Sequence, residues 1–398
     1  YTEHMTIPYR PFGRTGERVS VLGFGCMRLP VIDGRRDRID VPQATEMLYY
    51  ALDHGVNYVD TAWTYHGASF VAPGNSEVFL GNALAGGYRD RVLVATKLPP
   101  SQVKAREDMD AILAGQLERL RTDHVDCYLL HGLDANTWAQ MYGLGALEFL
   151  DAAKADGRIR YAGFSFHDEL SVFTPIVDAY DWDFCQIQYN YMDTEFQAGS
   201  AGLAYAAERG LGIVIMEPLK GGRLSAPVPA PIQALLDDAD EKRSATEWAL
   251  RFIWDDPRVS VVLSGMSTME QVVENVDIAS RAEAGLLGPG GATLIERLRE
   301  AFQARTPVDC TGCRYCMPCP EGINIPMVLG FVNDAALFDA LEAEQGGYDI
   351  MAMMGQTARA SACVECGQCE DACPQHLEII KEMAGASRLF DHKAPAAE

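Results

Sequence analysis

Eight of the eleven cysteines lie in two short arrays near the C-terminus, at a spacing suited to metal-cluster ligation. The first array is Cys310, Cys313, Cys316 and Cys319, followed by Pro320, and the second is Cys363, Cys366, Cys369 and Cys373, followed by Pro374. The run C-x2-C-x2-C-x3-C-P is typical of [4Fe–4S] binding, in which three thiolates hold one cluster and the fourth reaches another. The second array fits this pattern fully, whereas the first has two residues instead of three before Cys319.

Zinc is the alternative metal for these cysteines, because C-x2-C pairs also suit tetrahedral zinc sites. Zinc sites rarely need three such steps in a row followed by proline, so the arrays favour iron and sulfide. We therefore predict two [4Fe–4S] clusters, in which Cys319 and Cys373 each complete the cluster of the other array.

A second group of polar residues follows apolar runs in the first half of the chain. Asp60 lies within one such run and Tyr65 follows it, Lys97 ends the next, and His131 ends the one after that. Tyrosine has a reference pKa of about 10 and is a poor acid at neutral pH. An adjacent lysine ammonium favours the phenolate and eases proton donation, and an aspartate would keep that lysine charged. With a histidine to orient a carbonyl oxygen, the set predicts an acid that protonates this oxygen as hydride arrives at carbon.

The elements that would carry these residues alternate between strands and helices from residue 19 to about residue 280. Helical patterns, as at 42–54, 108–120, 142–156 and 243–254, separate short apolar runs typical of strands buried on both faces. There are eight such runs, at 19–25, 58–62, 92–97, 125–131, 160–166, 184–190, 212–218 and 259–265. The pattern predicts a (β/α)8 TIM barrel, whose catalytic residues sit at the C-terminal ends of the strands. The alternative, a doubly wound open sheet, would need a G-x-G-x-x-G turn that residues 23–28 do not supply.

The remaining segments predict two domains. Residues 8–18 read as a hairpin that caps the barrel, and we expect a domain boundary near residue 305, with a barrel domain over 1–305 and a cluster domain over 306–398. The 43 residues between the cysteine arrays have helical composition and are too many for a compact β-hairpin cluster fold. The second domain is therefore predicted to be a small α-helical ferredoxin-like domain.

Composition excludes several classes of partner. The formal net charge of −23 argues against binding to nucleic acid or to an anionic membrane, both of which need basic patches. No run of about 18 apolar residues occurs, so we expect no transmembrane helix. The N-terminus has no apolar signal-peptide region, and cysteines at metal-ligand spacing indicate a reducing compartment, so we expect a cytoplasmic protein.

The segments GVNYVDTAWTYHG, VLVATK and VDCYLLHG resemble the aldo-keto reductases, over residues 8–280 or so. The cysteine domain resembles the module found in the subset of that family fused to a ferredoxin-like domain. The resemblance implies NAD(P)H-linked reduction of a small-molecule carbonyl substrate, with Tyr65 as general acid, Lys97 to tune its pKa, Asp60 as the partner of the lysine, and His131 to orient the substrate. Alone, Asp60 and Lys97 could form a structural ion pair and His131 could be a core histidine. All four at consecutive strand ends favour catalysis.

The resemblance also implies a dinucleotide site. Ser165 and Gln186 match the family residues that contact the carboxamide, and Met216 stands where a tyrosine commonly stacks on nicotinamide. Lys220 and Arg223 follow the seventh strand and could clamp a pyrophosphate. Four further positions match the adenosine-binding stretch, where a helix N-terminus can meet phosphate: Ser267, Gln271, Glu274 and Asn275. An ordinary amphipathic helix is the alternative for that stretch. No arginine occurs in 264–275, so the choice between NADP and NAD stays open.

The predicted barrel domain and the predicted cluster domain would transfer different numbers of electrons in each step. A hydride carries two electrons at once, whereas a [4Fe–4S] cluster normally passes one, so clusters that feed the barrel would need a converter such as a flavin. Three hypotheses follow: a reductase whose clusters exchange electrons with a redox partner protein (a ferredoxin or flavodoxin), the same reductase with structural clusters, or a redox-sensing or regulatory binding module on the same fold.

Overall fold

The computed structural model of the chain describes residues 7–69, 71–225, 227–310 and 312–391. Two compact units are present. The first comprises the chain up to Gly222 together with Thr246–Ala292, and the second comprises Arg223–Ala245 together with the chain from Thr293 onward. The domain boundary near residue 305 stays a prediction, and the second unit also takes up a segment that interrupts the first.

The first unit is the predicted eight-stranded parallel barrel, and it is closed. Each strand pairs with the next along the chain, and the last pairs with the first, which excludes the open doubly wound alternative. The barrel strands are β3 (Leu22–Gly25), β4 (Tyr58–Asp60), β5 (Leu93–Leu98), β6 (Val125–Leu133), β7 (Ile159–Phe166), β8 (Phe184–Gln188), β9 (Gly212–Met216) and β10 (Val261–Ser264).

Helices cover the outside of these strands, as a parallel barrel requires. They are α1 (Val41–Asp53), α2 (Ser76–Ala83), α3 (Arg106–Leu120), α4 (Ala135–Gly143), α5 (Ala146–Ala155), α6 (Leu170–Asp178), α7 (Gly199–Glu208), α9 (Ala245–Trp254) and α10 (Met269–Ser280). The prediction of one helix over 142–156 is wrong, because α4 ends at Gly143 and α5 begins three residues later. Gly145 between them has a φ of 78°, a left-handed conformation that breaks a helix.

The predicted hairpin precedes the barrel as β1 (Tyr9–Pro11) and β2 (Arg18–Ser20), paired antiparallel. The first barrel strand therefore begins later than residue 19, since Ser20 still belongs to the hairpin and its hydroxyl donates to the carbonyl of Leu22 at 2.7 Å. Phe12, in the hairpin turn, is fully buried, with its ring 5.8 Å from that of Tyr58 and 5.2 Å from that of Phe184. The hairpin thus closes the floor of the barrel.

The second unit is helical in the part that the structure describes. It contains α8 (Ala230–Asp238), the C-terminal part of α11 (Gly288–Gln303), α12 (Ile325–Leu337), α13 (Leu341–Met353), the short α14 (Gln368–Asp371) and α15 (Ile379–Phe390). Its core joins buried residues of α12, α13 and α15, among them Leu329, Tyr348 and Phe390, and the cysteine arrays pack against this core. No helix within the described residues is long and apolar enough to span a membrane.

Two glycines in the hairpin turn allow a test of how tightly the hairpin seats on the barrel. Both have positive φ, but a Cβ at Gly13 would lie 2.2 Å from the backbone nitrogen of Gly212, whereas a Cβ at Gly16 would meet nothing within 4 Å. Gly16→Ala should therefore lower the free energy of unfolding by about 1 to 2 kcal/mol through left-handed strain alone. Gly13→Ala should lower it further, because the backbone must move.

The measurement is urea unfolding followed by tryptophan fluorescence, which reports on the barrel unit because all five tryptophans lie in it. Equal losses of stability in the two variants would show that the hairpin does not press on the barrel at Gly13.

Candidate active site and cysteine site

A buried ion pair lies at the C-terminal ends of β4 and β5. Nζ of Lys97 donates to both carboxylate oxygens of Asp60, at 2.6 and 2.7 Å, and to the carbonyl of Thr61 at 2.7 Å. The Lys97 side chain is fully buried and that of Asp60 is 4% exposed. Two predicted site residues are thus brought into direct contact, in a place where a lone charge would be strongly disfavoured.

Tyr65 lies in the loop after β4 and completes this group. Nζ of Lys97 is 3.4 Å from the Tyr65 hydroxyl and 4.8 Å from the centre of its ring. The loop is held by its own backbone: the amide of Gly74 donates to the carbonyl of Trp63 at 2.8 Å, and that of Ser76 donates to the carbonyl of Tyr65 at 3.2 Å. A fixed loop fixes the distance between the hydroxyl and the ammonium.

Burial and charge act in opposite directions on these three groups. Burial raises the pKa of Tyr65 above its usual value, and Lys97 works against that rise. Burial also raises the pKa of Asp60, although Lys97 opposes it. Burial disfavours the ammonium of Lys97, but Asp60 and Tyr65 outweigh it and raise the pKa of the lysine. Tyr65 is therefore protonated at neutral pH, beside a cation that stabilises its conjugate base.

His131, near the end of β6, faces the tyrosine. The two rings meet edge to face with their centres 6.1 Å apart. Burial lowers the pKa of His131 to about 3, with smaller contributions from the positive charge of Lys97 and from His167. The imidazole is therefore neutral at neutral pH and can both donate and accept a hydrogen bond. The structure brings all four predicted catalytic residues together.

Three predicted dinucleotide contacts lie side by side on the next strands. Ser165 on β7 and Gln186 on β8 are direct neighbours in the sheet. The hydroxyl of Ser165 accepts from the amide of Gly132 at 2.7 Å, and Nε2 of Gln186 is 3.7 Å from the sulfur of Met216. Gln186 is only 3% exposed, yet its Oε1 has no hydrogen-bond partner. An amide oxygen left without a donor in a buried position indicates a place for a ligand with an N–H group.

The predicted pyrophosphate clamp, Lys220, follows β9. Nζ of Lys220 is 3.1 Å from both carboxylate oxygens of Asp193, in the loop after β8, so part of its charge is already balanced. Arg28 lies at the end of the first barrel strand with its side chain along Gly265, and its guanidinium is 3.9 Å from Glu217. Lys220 remains a predicted clamp, one that shares its charge with a carboxylate.

The predicted adenosine-binding stretch forms the start of α10. The backbone amide of Ser267 donates to the side chain of Gln271 at 2.7 Å, and the Ser267 hydroxyl donates to the carbonyl of Arg28 at 2.8 Å. Glu274 is exposed, whereas Asn275 is buried and donates to Ser264 at 3.0 Å. The structure therefore groups Ser267 with Gln271 and turns Asn275 toward β10, away from the exposed face of the helix.

Sequence reasoning missed two residues near this group. His167 follows Ser165 by two positions and contributes to the low pKa of His131, and Asp193 pairs with Lys220. The position of His167 at the end of β7 was a usable signal, since catalytic side chains gather at strand ends. Asp193 sits in a loop, and only the folded chain shows its partner.

The cysteines of the second unit surround two cavities. Cys363, Cys366 and Cys369 of the second array line a cavity of about 240 Å³ together with Cys319 of the first array; Cys316 also reaches it. A smaller cavity is lined by the remaining set, Cys310, Cys313, Cys316 and Cys373. Among the described residues, no group of three or more His, Cys, Asp or Glu side chains is placed to hold a single metal ion. Several thiols line each of the two cavities.

Two protein-family models match this chain, one over the barrel and one over the cysteine arrays. Residues 21–283 match the model of the aldo/keto reductase family, and residues 309–378 match that of the 4Fe-4S dicluster domain. The two matches together cover the barrel strands and both cysteine arrays.

Individual relatives match the barrel at low identity. An L-galactose dehydrogenase of Arabidopsis thaliana is 28% identical in an alignment of 313 positions that covers 73% of this chain and 93% of the relative. A probable voltage-gated potassium channel subunit beta of Oryza sativa is 27% identical in an alignment of 315 positions that covers 67% of this chain and 90% of the relative. The holo structure of an aldo-keto reductase from Bacillus halodurans superposes with a TM-score of 0.61 at 25% identity, covering 73% and 96% of the two chains.

His131 should stay neutral well below the pH at which a free histidine gains its proton. The unfolded chain binds that proton near pH 6.5 and the folded protein only near pH 3. The stability contributed by neutral His131 is therefore present above about pH 6.5 and is lost as the pH falls toward 3. Nitrogen NMR of histidine-labelled protein, with His131→Gln to identify the resonance, measures the charge directly, and a protonated ring at a pH of about 5 would contradict this environment.

Proposed function

The chain belongs to the aldo/keto reductase family, and we propose that it is an NAD(P)H-dependent oxidoreductase that reduces a small-molecule carbonyl compound with Tyr65 as the general acid. The observation that carries this proposal is the Lys97 ammonium, which is fully buried and fixed between the Asp60 carboxylate and the Tyr65 hydroxyl. A structural ion pair alone would not need a tyrosine hydroxyl at 3.4 Å from the ammonium.

Each residue has a distinct task in the proposed reaction. The hydroxyl of Tyr65 gives its proton to the carbonyl oxygen, and Lys97 stabilises the phenolate left behind because a cation close to an anion lowers its free energy. Asp60 keeps Lys97 charged and holds it from the other side. His131 is neutral and can orient the carbonyl oxygen by a hydrogen bond.

The residues present fit a nicotinamide dinucleotide. Its carboxamide carries the N–H donors that Oε1 of Gln186 lacks, and Ser165 is its neighbour in the sheet. Met216 contacts Gln186 and offers a polarisable thioether to pack on a ring face. When bound, the reduced dinucleotide supplies the hydride. The absence of an arginine in 264–275 leaves NADP and NAD both compatible with the site.

We further propose that the second unit holds two [4Fe–4S] clusters, with Cys319 and Cys373 each ligating the cluster of the other array. The support is that each of two cavities is lined by three cysteines of one array and the last cysteine of the other, with Cys316 reaching both cavities. Bound clusters supply single-electron transfer. Cys313 and Cys366 are exposed, one in each set, which favours exchange with a redox partner protein such as a ferredoxin or flavodoxin. A flavin would be the converter if these electrons join hydride chemistry.

Two other functions have an observation in their favour. Purely structural clusters are favoured by the packing of five cysteines against the apolar core of the second unit and by the burial of Cys373 within it. A regulatory binding module is favoured by the similarity to a probable channel subunit beta. The complete group of Asp60, Tyr65, Lys97 and His131 argues for catalysis over binding alone.

Tyr65→Phe tests the catalytic proposal. The variant keeps the ring but loses the proton, so NADPH- or NADH-dependent reduction of para-nitrobenzaldehyde should fall by about a hundredfold to ten-thousandfold. Dinucleotide affinity, measured by fluorescence titration, should stay unchanged, because Tyr65 lies outside the predicted dinucleotide contacts.

Tyr49→Phe is the matched control, since it removes a tyrosine hydroxyl that bonds only the carbonyl of Ala83. If Tyr65→Phe retains the activity of the parent protein, another group is the acid. If the parent binds the dinucleotide but reduces none of a panel of aldehydes and ketones, the regulatory function gains the support.

Anaerobic purification tests the cluster proposal. The protein should contain about eight iron and eight sulfide per chain, and Cys319→Ser or Cys373→Ser should each reduce both to about half. Cys185→Ala is the control, because this cysteine is buried in the barrel core far along the chain from either array. Zinc in place of iron would contradict the proposal.

Electron transfer itself is tested by electron paramagnetic resonance after addition of dithionite or NADPH. A reducible cluster signal is expected. Clusters that are present in full but give no signal with either reductant would be structural.

A further inference from the structure

A polar network lies on the outside of the barrel, directly behind Lys97. Side chains alternate between the two faces of a strand, so Thr96 points outward where its neighbour Lys97 points inward. Tyr128 is the register partner of Thr96 on β6 and shares its face. The two side chains meet Glu77 of α2 and Gln116 of α3, and all four residues are fully buried.

The hydrogen bonds of this network end on the backbone of the catalytic lysine. Oε1 of Glu77 accepts from the Thr96 hydroxyl at 2.6 Å and from Nε2 of Gln116 at 2.8 Å, and its other oxygen accepts from Arg119 at 2.8 Å. Nε2 of Gln116 also donates to the carbonyl oxygen of Lys97 at 3.0 Å. A carboxylate on one helix is thereby tied, through an amide on another, to the end of β5.

The partners of the Gln116 amide fix its orientation. The Glu77 carboxylate and the Lys97 carbonyl can only accept, so the end that faces them must be the NH₂ group, and Oε1 is left to accept from the Tyr128 hydroxyl at 2.7 Å. An amide held in this way has no second arrangement that satisfies its partners. The position of the Lys97 backbone is therefore coupled to the position of α2.

Ser76, the residue before Glu77, contacts both the end of β4 and the loop that carries Tyr65. Ser76 Oγ accepts from the hydroxyl of Thr61, which follows Asp60, at 2.8 Å, and its backbone amide donates to the carbonyl of Tyr65 at 3.2 Å. The first turn of α2 thus contacts the loop of Tyr65, the end of β4 and, through Gln116, the end of β5.

We propose that Glu77 and Gln116 are positioning residues, which hold the end of β5 so that the Lys97 ammonium stays against the Tyr65 hydroxyl. The inference rests on the proposed role of Tyr65 as acid. An ion pair with a fully buried carboxylate, such as that of Glu77 with the partly exposed Arg119, often adds no net stability over apolar residues of similar volume. Its presence behind the catalytic lysine is better explained by the geometry that it imposes.

The test compares Gln116→Met and Tyr128→Phe. Gln116→Met removes both ends of the amide at similar volume, and Tyr128→Phe removes only the hydroxyl that orients it. The turnover number for para-nitrobenzaldehyde should fall on the order of tenfold to a hundredfold in Gln116→Met, as expected for a small displacement of a catalytic group, and less in Tyr128→Phe. The KM for the dinucleotide should not change. Tyr189→Phe is the control, since it removes a buried hydroxyl bonded to Ser200, outside the network.

A second readout does not depend on turnover. A loosened ammonium stabilises the phenolate less, so Tyr65 should ionise at higher pH in both variants. Ultraviolet difference titration, with the Tyr65→Phe background subtracted, should then show less phenolate at a given alkaline pH, and any pH optimum should move its alkaline limb upward.

The outcomes separate the two proposals. An inactive parent protein whose Tyr65 titration still shifts in Gln116→Met would overturn the reductase function but support the positioning role. Unchanged turnover and unchanged Tyr65 titration, with only a lower unfolding temperature, would make the network structural. Should Gln116→Met fail to fold, Tyr128→Phe decides by the same two readouts.

Discussion

The enclosure of one ammonium group constrains the end of the barrel where the proposed catalytic residues lie. Removing a charge from water costs several kcal/mol unless partners replace the water, and Lys97 is fully buried. Both oxygens of Asp60 and the carbonyl of Thr61 replace it, at 2.6 to 2.7 Å. These partners are in place only because β4 and β5 pair in a fixed register, with Asp60 opposite Ala95. The charged state of Lys97 therefore depends on the strand register of the barrel.

The same enclosure sets the protonation state of Tyr65, the proposed acid. Burial raises the pKa of Tyr65, which keeps the hydroxyl protonated at neutral pH, and Lys97 opposes the rise, which would stabilise the phenolate if Tyr65 gave up its proton. An environment that stabilises the charge only as it develops acts on the transition state more than on the ground state. This stabilisation requires that the Lys97 ammonium stay close to the Tyr65 hydroxyl. Holding it there is the role proposed for the network of Glu77 and Gln116.

Features carried by local pattern were predictable from the sequence, and features set by distant contacts were not. The eight strands and the proximity of four polar side chains follow from buried apolar runs that end in polar residues; the four are Asp60, Tyr65, Lys97 and His131. Glu77 carries no such signal, because a glutamate near a helix start usually faces solvent and its burial depends on α3. The pairing of Lys220 with Asp193 and the inclusion of residues 223–245 in the second unit likewise depend on folded contacts.

In the second unit, the electron-transfer and structural hypotheses share one physical basis. Cys373 belongs to the buried core and five other cysteines pack against it, so ligand binding and folding of this unit must be coupled, as in other small metal domains. Loss of a cysteine therefore destabilises the unit under either hypothesis and does not distinguish them. Exposure is more informative, because Cys313 and Cys366 each lie at the surface. A cluster with an exposed ligand would have a short path for electron transfer to a partner protein. The exposure of Cys313 and Cys366 therefore favours the electron-transfer hypothesis over the structural one.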